Sequence, residues 1–570
     1  METYKPWLAS YPDEIAPTYY YPKHNVAKFL LDAADGHPSR PALEFLGKRL
    51  TYRRLREAAY RFANGLRRLG IGKGDRVAVM LPNCPPAVIA YFGTLLAGAI
   101  VVQTNPLYKE NELKHQLADS GAKAIVTLDL LFKRVQTVLP RTDLRHVIIA
   151  SIADYLPFPK NLLYPVKMKR EGQQVNIPYS DDVLSFKTFL SRSPASPVDE
   201  KVDPEKDIAL LQYTGGTTGI AKGVMLTHRN LVANTYQISN WCYKAEEGKE
   251  RFLAALPLFH VFGLTVLMNQ AALRAGMLIL LPRFETETVL KTIHRLKPTI
   301  FPGAPTMYIA LLNHPRIREY DLSSVNVCVS GSAPLPLEVQ ERFEELSGAR
   351  LIEGYGLTEA SPVTHANPIW GRRKIGTIGI PFPDTEAKIV DPDTGEEKAA
   401  GEIGELIVRG PQVMAGYWNR PDETEKVLKD GWLYTGDMGK MDADGYCSIV
   451  DRKKEMIIAS GFKIYPREIE EVLYEHPAVK EGVVAGVPDK YRGETVKAYV
   501  VLKDGAELTG PELETWCRQR LASYKVPRLY EFRDSLPKTM IGKVLRRALI
   551  EEERARIAEE DAAAAAEEER

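Results

Sequence analysis

The chain has 570 residues, 45% of them hydrophobic and 26% charged, a globular balance with enough apolar material for more than one core. Its 75 basic and 74 acidic side chains leave a net charge of +1, so no global field draws it to nucleic acid or an anionic membrane, and any bound anion needs a local site. Cys84, Cys242, Cys328, Cys447 and Cys517 lack C-x-x-C or metal-ligand spacing, and their odd number argues against a closed disulfide framework. A reducing compartment fits. The start, METYKPWLASYPDEIAPTYYYP, has no basic n-region followed by an apolar h-region, so a cytoplasmic protein is expected.

Through the first two thirds, segments rich in Val, Ile and Leu alternate with helix-like stretches: RVAVMLP at 76–82, AKAIVTL at 122–128 and HVIIAS at 146–151. This predicts an α/β fold whose large N-terminal domain is layered around parallel sheet. The apolar runs 87–102 and 252–268, the second interrupted by Pro257 and His260, fall short of the roughly 18 to 20 residues of a spanning helix and are expected in the core. Residues 155–180 are expected to form an irregular surface excursion with Lys167, Lys169 and Arg170 clustered on it. A solvated loop is the plain reading and peripheral contact with membrane headgroups the other. Between 384 and 450, short strand candidates (EAKIVD, GELIVRG, YCSIVD) separated by turn residues predict a small β-barrel-like subdomain. After Asp451 come a helix (PREIEEVLYEH), strands (EGVVAGV, VKAYVVL) and another helix (PELETWCRQRLA), an α+β pattern of domain size. The expected division is 1–450, 451–550 and a low-complexity tail, 551–570, read as a solvated helix without catalytic role.

The strongest local signal is YTGGTTGIAKG at 213–223, directly after the strand candidate IALLQ. Glycines let backbone N–H groups approach phosphate oxygens, Thr214, Thr217 and Thr218 add hydroxyls, and Lys222 adds charge. It is not a P-loop, because Lys222 stands between Ala221 and Gly223 and lacks the Gly-Lys-Ser/Thr order. Alone, such a segment is more often a turn than a nucleotide site.

Residues 211–230, LQYTGGTTGIAKGVMLTHRN, resemble the phosphate-binding signature of the adenylate-forming superfamily, which includes acyl-CoA synthetases, adenylation domains and firefly luciferase. Five further motifs follow in the family's order: GSAPLP from Gly331, EGYGLTEASP from Glu353, GWLYTGD from Gly431, DRKKEMIIASGFKIYPREIE from Asp451, and PKTMIGKVLRR from Pro537. The resemblance implies two half-reactions. A carboxylate attacks the α-phosphate of ATP and releases pyrophosphate; a thiol then displaces AMP from the acyl-adenylate. Joining two anions requires positive charge at the α-phosphate.

On this resemblance Lys543 bridges the carboxylate and the α-phosphate, and Glu359 holds Mg²⁺ on the phosphates. ATP contacts are implied at Thr214, Gly215, Gly216, Thr217, Thr218, Gly219, Lys222, Gly331 and Thr358. Tyr355, between Gly354 and Gly356, stacks on adenine with the glycines leaving room for the base, while Asp437 and Arg452 contact the ribose. His260 stands at the mouth of the acyl pocket; a satisfied core histidine is the alternative. Asp451 matches the hinge about which a small, mobile C-terminal domain turns between half-reactions, and Gly461 the glycine lining the CoA tunnel.

Residues 430–454 resemble fatty-acyl-CoA synthetases, and KPWLASYP near the start resembles bacterial long-chain enzymes. Luciferases and coumarate-type ligases usually carry a lysine where this chain has Ile458. Phe262 and Leu264 are expected pocket walls; Leu264 stands where some long-chain enzymes carry a gating Trp. ATP, a long-chain fatty acid and CoA are the implied substrates, with Mg²⁺ as cofactor and no nucleic acid partner. Alternatives are an aryl or medium-chain CoA ligase, an adenylation enzyme loading a carrier protein, and a non-catalytic acyl-binding protein; a homodimer is left open.

Overall fold

The computed structural model describes residues 5–173, 175–198, 200–214, 221–459, 462–489, 492–539 and 544–568. The expected strands at 76, 122 and 146 pair in parallel as Arg76–Met80, Ala124–Leu128 and His146–Ala150. With Ile100–Gln103, Ile208–Thr214 and Val183–Ser185 they form the parallel part of an eight-stranded sheet, which Lys222–Thr227 and Gly416–Tyr417 extend in antiparallel fashion. Pro85–Leu96, which takes in the opening part of the first apolar run, is a helix with all twelve residues buried. At Gly93 an added Cβ would lie 2.9 Å from the carbonyl of Ala59, so the helix Tyr52–Arg68 packs directly on backbone there.

The second apolar run enters a second sheet. Lys48–Thr51, Pro41–Phe45, Met277–Leu280 and Arg251–Ala254 pair in that order. Ile300 bridges Phe252 to Val327 and so joins them to Val327–Ser330, Arg350–Gly356, Val363–Ala366 and Ile380–Pro381. The run continues as a buried helix with a π turn at Leu264–Asn269. Among the described residues no helix is long and apolar enough to cross a membrane. Asn83, just beyond the strand Arg76–Met80, locks the two sheets together: its side chain donates to the carbonyls of Ala254 and Leu256 and accepts from the N–H of Leu258. Buried and fully used, an amide in this position fixes how the sheets' C-terminal ends face each other.

Glu386–Val390, Gly404–Arg409, Trp432–Met441, Leu428–Lys429 and Cys447–Arg452 form the expected small antiparallel sheet. Its last strand runs through the predicted boundary at 450, Asp451 pairing with Met438. The C-terminal part has its own core, from Ile457 to Val526, around the helix Pro466–Tyr474 and the strands Val479–Asp489 and Gly493–Leu502.

Two expectations fail. Residues 155–180 are not wholly irregular: Lys160–Arg170 is helical despite Pro165, because Asn161, Tyr164 and Met168 give it an inner stripe and Tyr164 packs on the core. The tail expected from 551 is helical, as part of one element, Arg546–Glu568, but it is not wholly solvated. Leu549 is buried, and Glu553 is buried against Lys497 at 2.7 Å. All five cysteines are free.

Candidate active site

The motifs gather where parallel strands end, the edge at which open α/β sheets bind ligands. Thr214 and Lys222 are paired neighbours across the hairpin that carries the Gly/Thr segment. The Gln212 side chain donates to the carbonyl of Phe259 at 3.1 Å, tying that hairpin to the His260 segment of the other sheet. Gly331 follows the strand Val327–Ser330 and Gly354 lies in its neighbour Arg350–Gly356; a Cβ on Gly331 would lie 3.0 Å from the Phe262 ring and 3.5 Å from the Gly354 carbonyl.

Tyr355, Asp437 and Arg452 meet. The Tyr355 hydroxyl donates to Asp437 Oδ2 at 2.5 Å, and Arg452 Nε stands 3.3 Å from Asp437 Oδ1. Asp437 and Arg452 are cross-strand partners of the small sheet, in a strand whose Gly436 takes a positive φ. Burial and the Asp437 carboxylate push the Tyr355 hydroxyl well above its usual range. Burial works against the Arg452 charge, yet Asp437 and Glu455 more than offset it. The flanking glycines have a different reason from the one expected. A Cβ on Gly356 would fall 2.0 Å from the carbonyl oxygen of Pro362, and one on Gly354 2.9 Å from Val329. They admit neighbouring protein, so their service to a base is indirect.

Glu359 accepts a hydrogen bond from the Tyr417 hydroxyl at 2.7 Å, and its carbonyl accepts from the N–H of Met414. The Lys222 ammonium lies 5.1 Å from the centre of the Tyr417 ring and is ion-paired to Glu423. Thr358, beside Glu359, is buried. Lys222 and Glu359 thus share one aromatic neighbour, and Lys222 must exchange Glu423 for any phosphate it binds. Tyr417 and Glu423 escaped the sequence reading; their only signal was the aromatic pair Tyr417–Trp418 ahead of an acidic helix start, PDETE.

His260 is half-buried and caps the short helix Val261–Gly263, its Nδ1 accepting from the N–H of Phe262 at 3.3 Å. A narrow apolar cavity of about 20 Å³ is lined by Ile238, Val266, Ile300, Pro302 and Val329 and reaches Arg274. Phe262 and Leu264 do not line it; Val266 on the same helix does. A larger groove of about 470 Å³ against the helix Thr286–Leu296 shares no residue with the motifs.

Asp451 is buried, and its carboxylate accepts from the N–H groups of Arg452 at 2.7 Å and Arg467 at 2.9 Å. Burial pushes it up to about 6, against the opposing pull of Arg546. Arg546 binds Glu470 through two 2.7 Å contacts and pairs with Glu455. Arg467 also donates to the carbonyl of Ile449 at 2.7 Å. Nearby, burial pushes Glu353 up to about 7, opposed by Arg467.

Lys543, Gly461, Gly215, Gly216, Thr217, Thr218 and Gly219 lie outside the described residues. Among the described residues no three His, Cys, Asp or Glu side chains gather to hold a metal. A single carboxylate such as Glu359 nevertheless suits Mg²⁺, which takes one or two carboxylates and completes its shell with phosphates and water.

Residues 30–418 match the family described as AMP-binding enzyme, and residues 468–543 match the AMP-binding enzyme C-terminal domain. The chain is 54% identical to a long-chain-fatty-acid–CoA ligase of Bacillus subtilis, over 97% of this chain and 99% of that one. Among solved structures, ATP-bound MatB from Rhodopseudomonas palustris is 30% identical with a TM-score of 0.82, covering 93% of this chain and 99% of that one. An anthranilate CoA ligase holding anthranoyl-AMP is 28% identical with a TM-score of 0.84, covering 94% and 98%. The chain therefore belongs to the AMP-binding, adenylate-forming enzyme family, alongside bacterial long-chain-fatty-acid–CoA ligases.

Proposed function

We propose that this protein is an AMP-forming acid–thiol ligase that activates long-chain fatty acids with ATP and joins them to CoA. The observation that supports the reading best is the convergence of Tyr355, Asp437 and Arg452 from three separate motifs, in a chain 54% identical to a Bacillus long-chain-fatty-acid–CoA ligase.

The adenine stacks on Tyr355, and the ribose hydroxyls donate to the carboxylate of Asp437, whose oxygens can each accept more than one hydrogen bond. The triphosphate lies along the Thr214–Lys222 hairpin, with backbone N–H groups of Gly215 to Gly219 and the hydroxyls of Thr217 and Thr218 as donors. Glu359 and the phosphate oxygens would hold Mg²⁺, which would supply positive charge against the pyrophosphate when bound. Lys543 supplies the positive charge at which carboxylate and α-phosphate meet.

Attack by the fatty carboxylate forms the C–O–P link of the acyl-adenylate and breaks the bond to pyrophosphate. Turning about Asp451 then withdraws Lys543 and brings Gly461 to the path of the thiol. The CoA sulfur attacks the acyl carbonyl, and AMP leaves with the electron pair of the C–O bond. His260 borders the acyl entrance, and the alkyl chain opens the cavity between Val266 and Val329. A void of about 20 Å³ is far too small for a long chain, so these side chains must part on binding. Each buried CH₂ returns about 0.8 kcal/mol, which favours long acids.

The test is pyrophosphate release and thioester formation with ATP, Mg²⁺ and CoA over acids from acetate to oleate, with coumarate included. A maximum at long alkyl acids is expected. A coumarate maximum assigns an aryl ligase, and adenylate without thioester assigns loading of a carrier.

A further inference from the structure

The helix Lys160–Arg170 buries none of its residues. Its inner stripe is Asn161, Tyr164 and Met168, at i, i+3 and i+7, so the remaining face points outward. That face is apolar where a surface helix is ordinarily polar: Phe158, just ahead of the helix, is 80% exposed, Leu162 62%, Leu163 60% and Val166 50%. Phe158 and Leu162, then Leu162 and Val166, are four positions apart, which makes one continuous patch. Cations flank it, with Lys160 in the first turn and Lys167, Lys169 and Arg170 in the last. Glu171, which follows, pairs only loosely with Lys167 at 3.7 Å.

We propose that this helix is an in-plane membrane anchor: Phe158, Leu162, Leu163 and Val166 enter the acyl boundary of an anionic lipid surface, and the flanking cations meet its phosphates. Two features select lipid over a protein partner. The apolar side chains stand on the outer face of a surface helix that buries none of its residues. The cations have long aliphatic stems that lie along the same apolar layer while their charges reach the headgroups. The whole chain carries only +1, so electrostatic attraction to the bilayer must come from local clusters such as this one, and neither a short apolar face nor a few charges suffices alone. Such an anchor would hold the enzyme where long-chain acids partition. That benefit rests on the proposed function; the binding does not.

The test is co-sedimentation of the full chain with vesicles of phosphatidylcholine, with or without phosphatidylglycerol, at low and high salt. Wild type should be retained by the anionic vesicles and released by salt. Leu162→Ser/Leu163→Ser and Lys167→Glu/Lys169→Glu/Arg170→Glu should each lower retention about tenfold. Both change exposed positions and should keep the wild-type melting temperature, which separates loss of binding from loss of fold. Absence of wild-type retention, or equal retention of wild type and both variants, overturns the proposal. A change from dimer to monomer in the double serine variant also overturns it, by giving the face to a second copy of the chain.

Discussion

Asp437→Asn tests the nucleotide site at its most connected point. The aspartate is 6% exposed, 2.5 Å from the Tyr355 hydroxyl and 3.3 Å from Arg452 Nε. Asparagine keeps the shape and one acceptor oxygen but turns a donor toward either the tyrosine or the guanidinium. A charge-assisted hydrogen bond is worth about 1.5–3 kcal/mol. If ribose is held by this carboxylate, the KM for ATP should rise about 10- to 150-fold, with a smaller change in kcat because ground state and transition state lose the contact alike. Pyrophosphate release measured against ATP at saturating palmitate gives both constants. An unchanged KM for ATP, or an effect confined to the KM for the acid, would refute the ribose role.

Lys543→Ala should abolish adenylate formation, by a hundredfold or more on the scale of about 2.7–4 kcal/mol for loss of one preorganised electrostatic group, while CoA still captures added acyl-AMP. Loss of both half-reactions to the same degree would remove the lysine from its assigned place. Val266→Phe should narrow the cavity and move the preference toward shorter acids, costing about 1–3 kcal/mol with palmitate through overpacking; the palmitate-to-octanoate ratio of kcat/KM reads this directly. Glu353→Gln concerns stability. The folded carboxyl titrates near 7 against an ordinary 4.5, so the folded state holds the extra proton between those values and wild type loses stability as pH rises through them, by about 3 kcal/mol. The variant lacks this loss, so its denaturation midpoint should gain on wild type between pH 5 and pH 8. A constant difference would contradict the assigned burial.

The fold was legible where local pattern and tertiary role agree. Buried parallel strands such as Arg76–Met80 are near-continuous apolar runs, and the turn-rich stretch before 450 reads as short antiparallel strands. The motif residues were legible through their resemblance, yet their partners were not. Tyr417 touches Glu359 because Gly416–Tyr417 pairs with Val224 and Met225, a long-range register that no local signal encodes. Phe262 and Leu264 were expected as pocket walls from the apolar stretch 252–268; the cavity beside that stretch is lined instead by Val266, a direction that the apolar pattern alone does not encode. Gly356 was read as room for a ligand, but its missing Cβ makes room for the Pro362 backbone. The helix Lys160–Arg170 was obscured by Pro165, which argues against a helix locally and is overruled by the packing of Tyr164.

The most direct test of the account follows the oxygen. Palmitate carrying heavy oxygen in its carboxyl group is turned over once with ATP, Mg²⁺ and CoA, and the nucleotide product is weighed by mass spectrometry. Attack of the carboxylate on the α-phosphate leaves one labelled oxygen in AMP and none in pyrophosphate, which is the predicted result. Label in inorganic phosphate with ADP as the nucleotide, or AMP without label, would contradict an acyl-adenylate route.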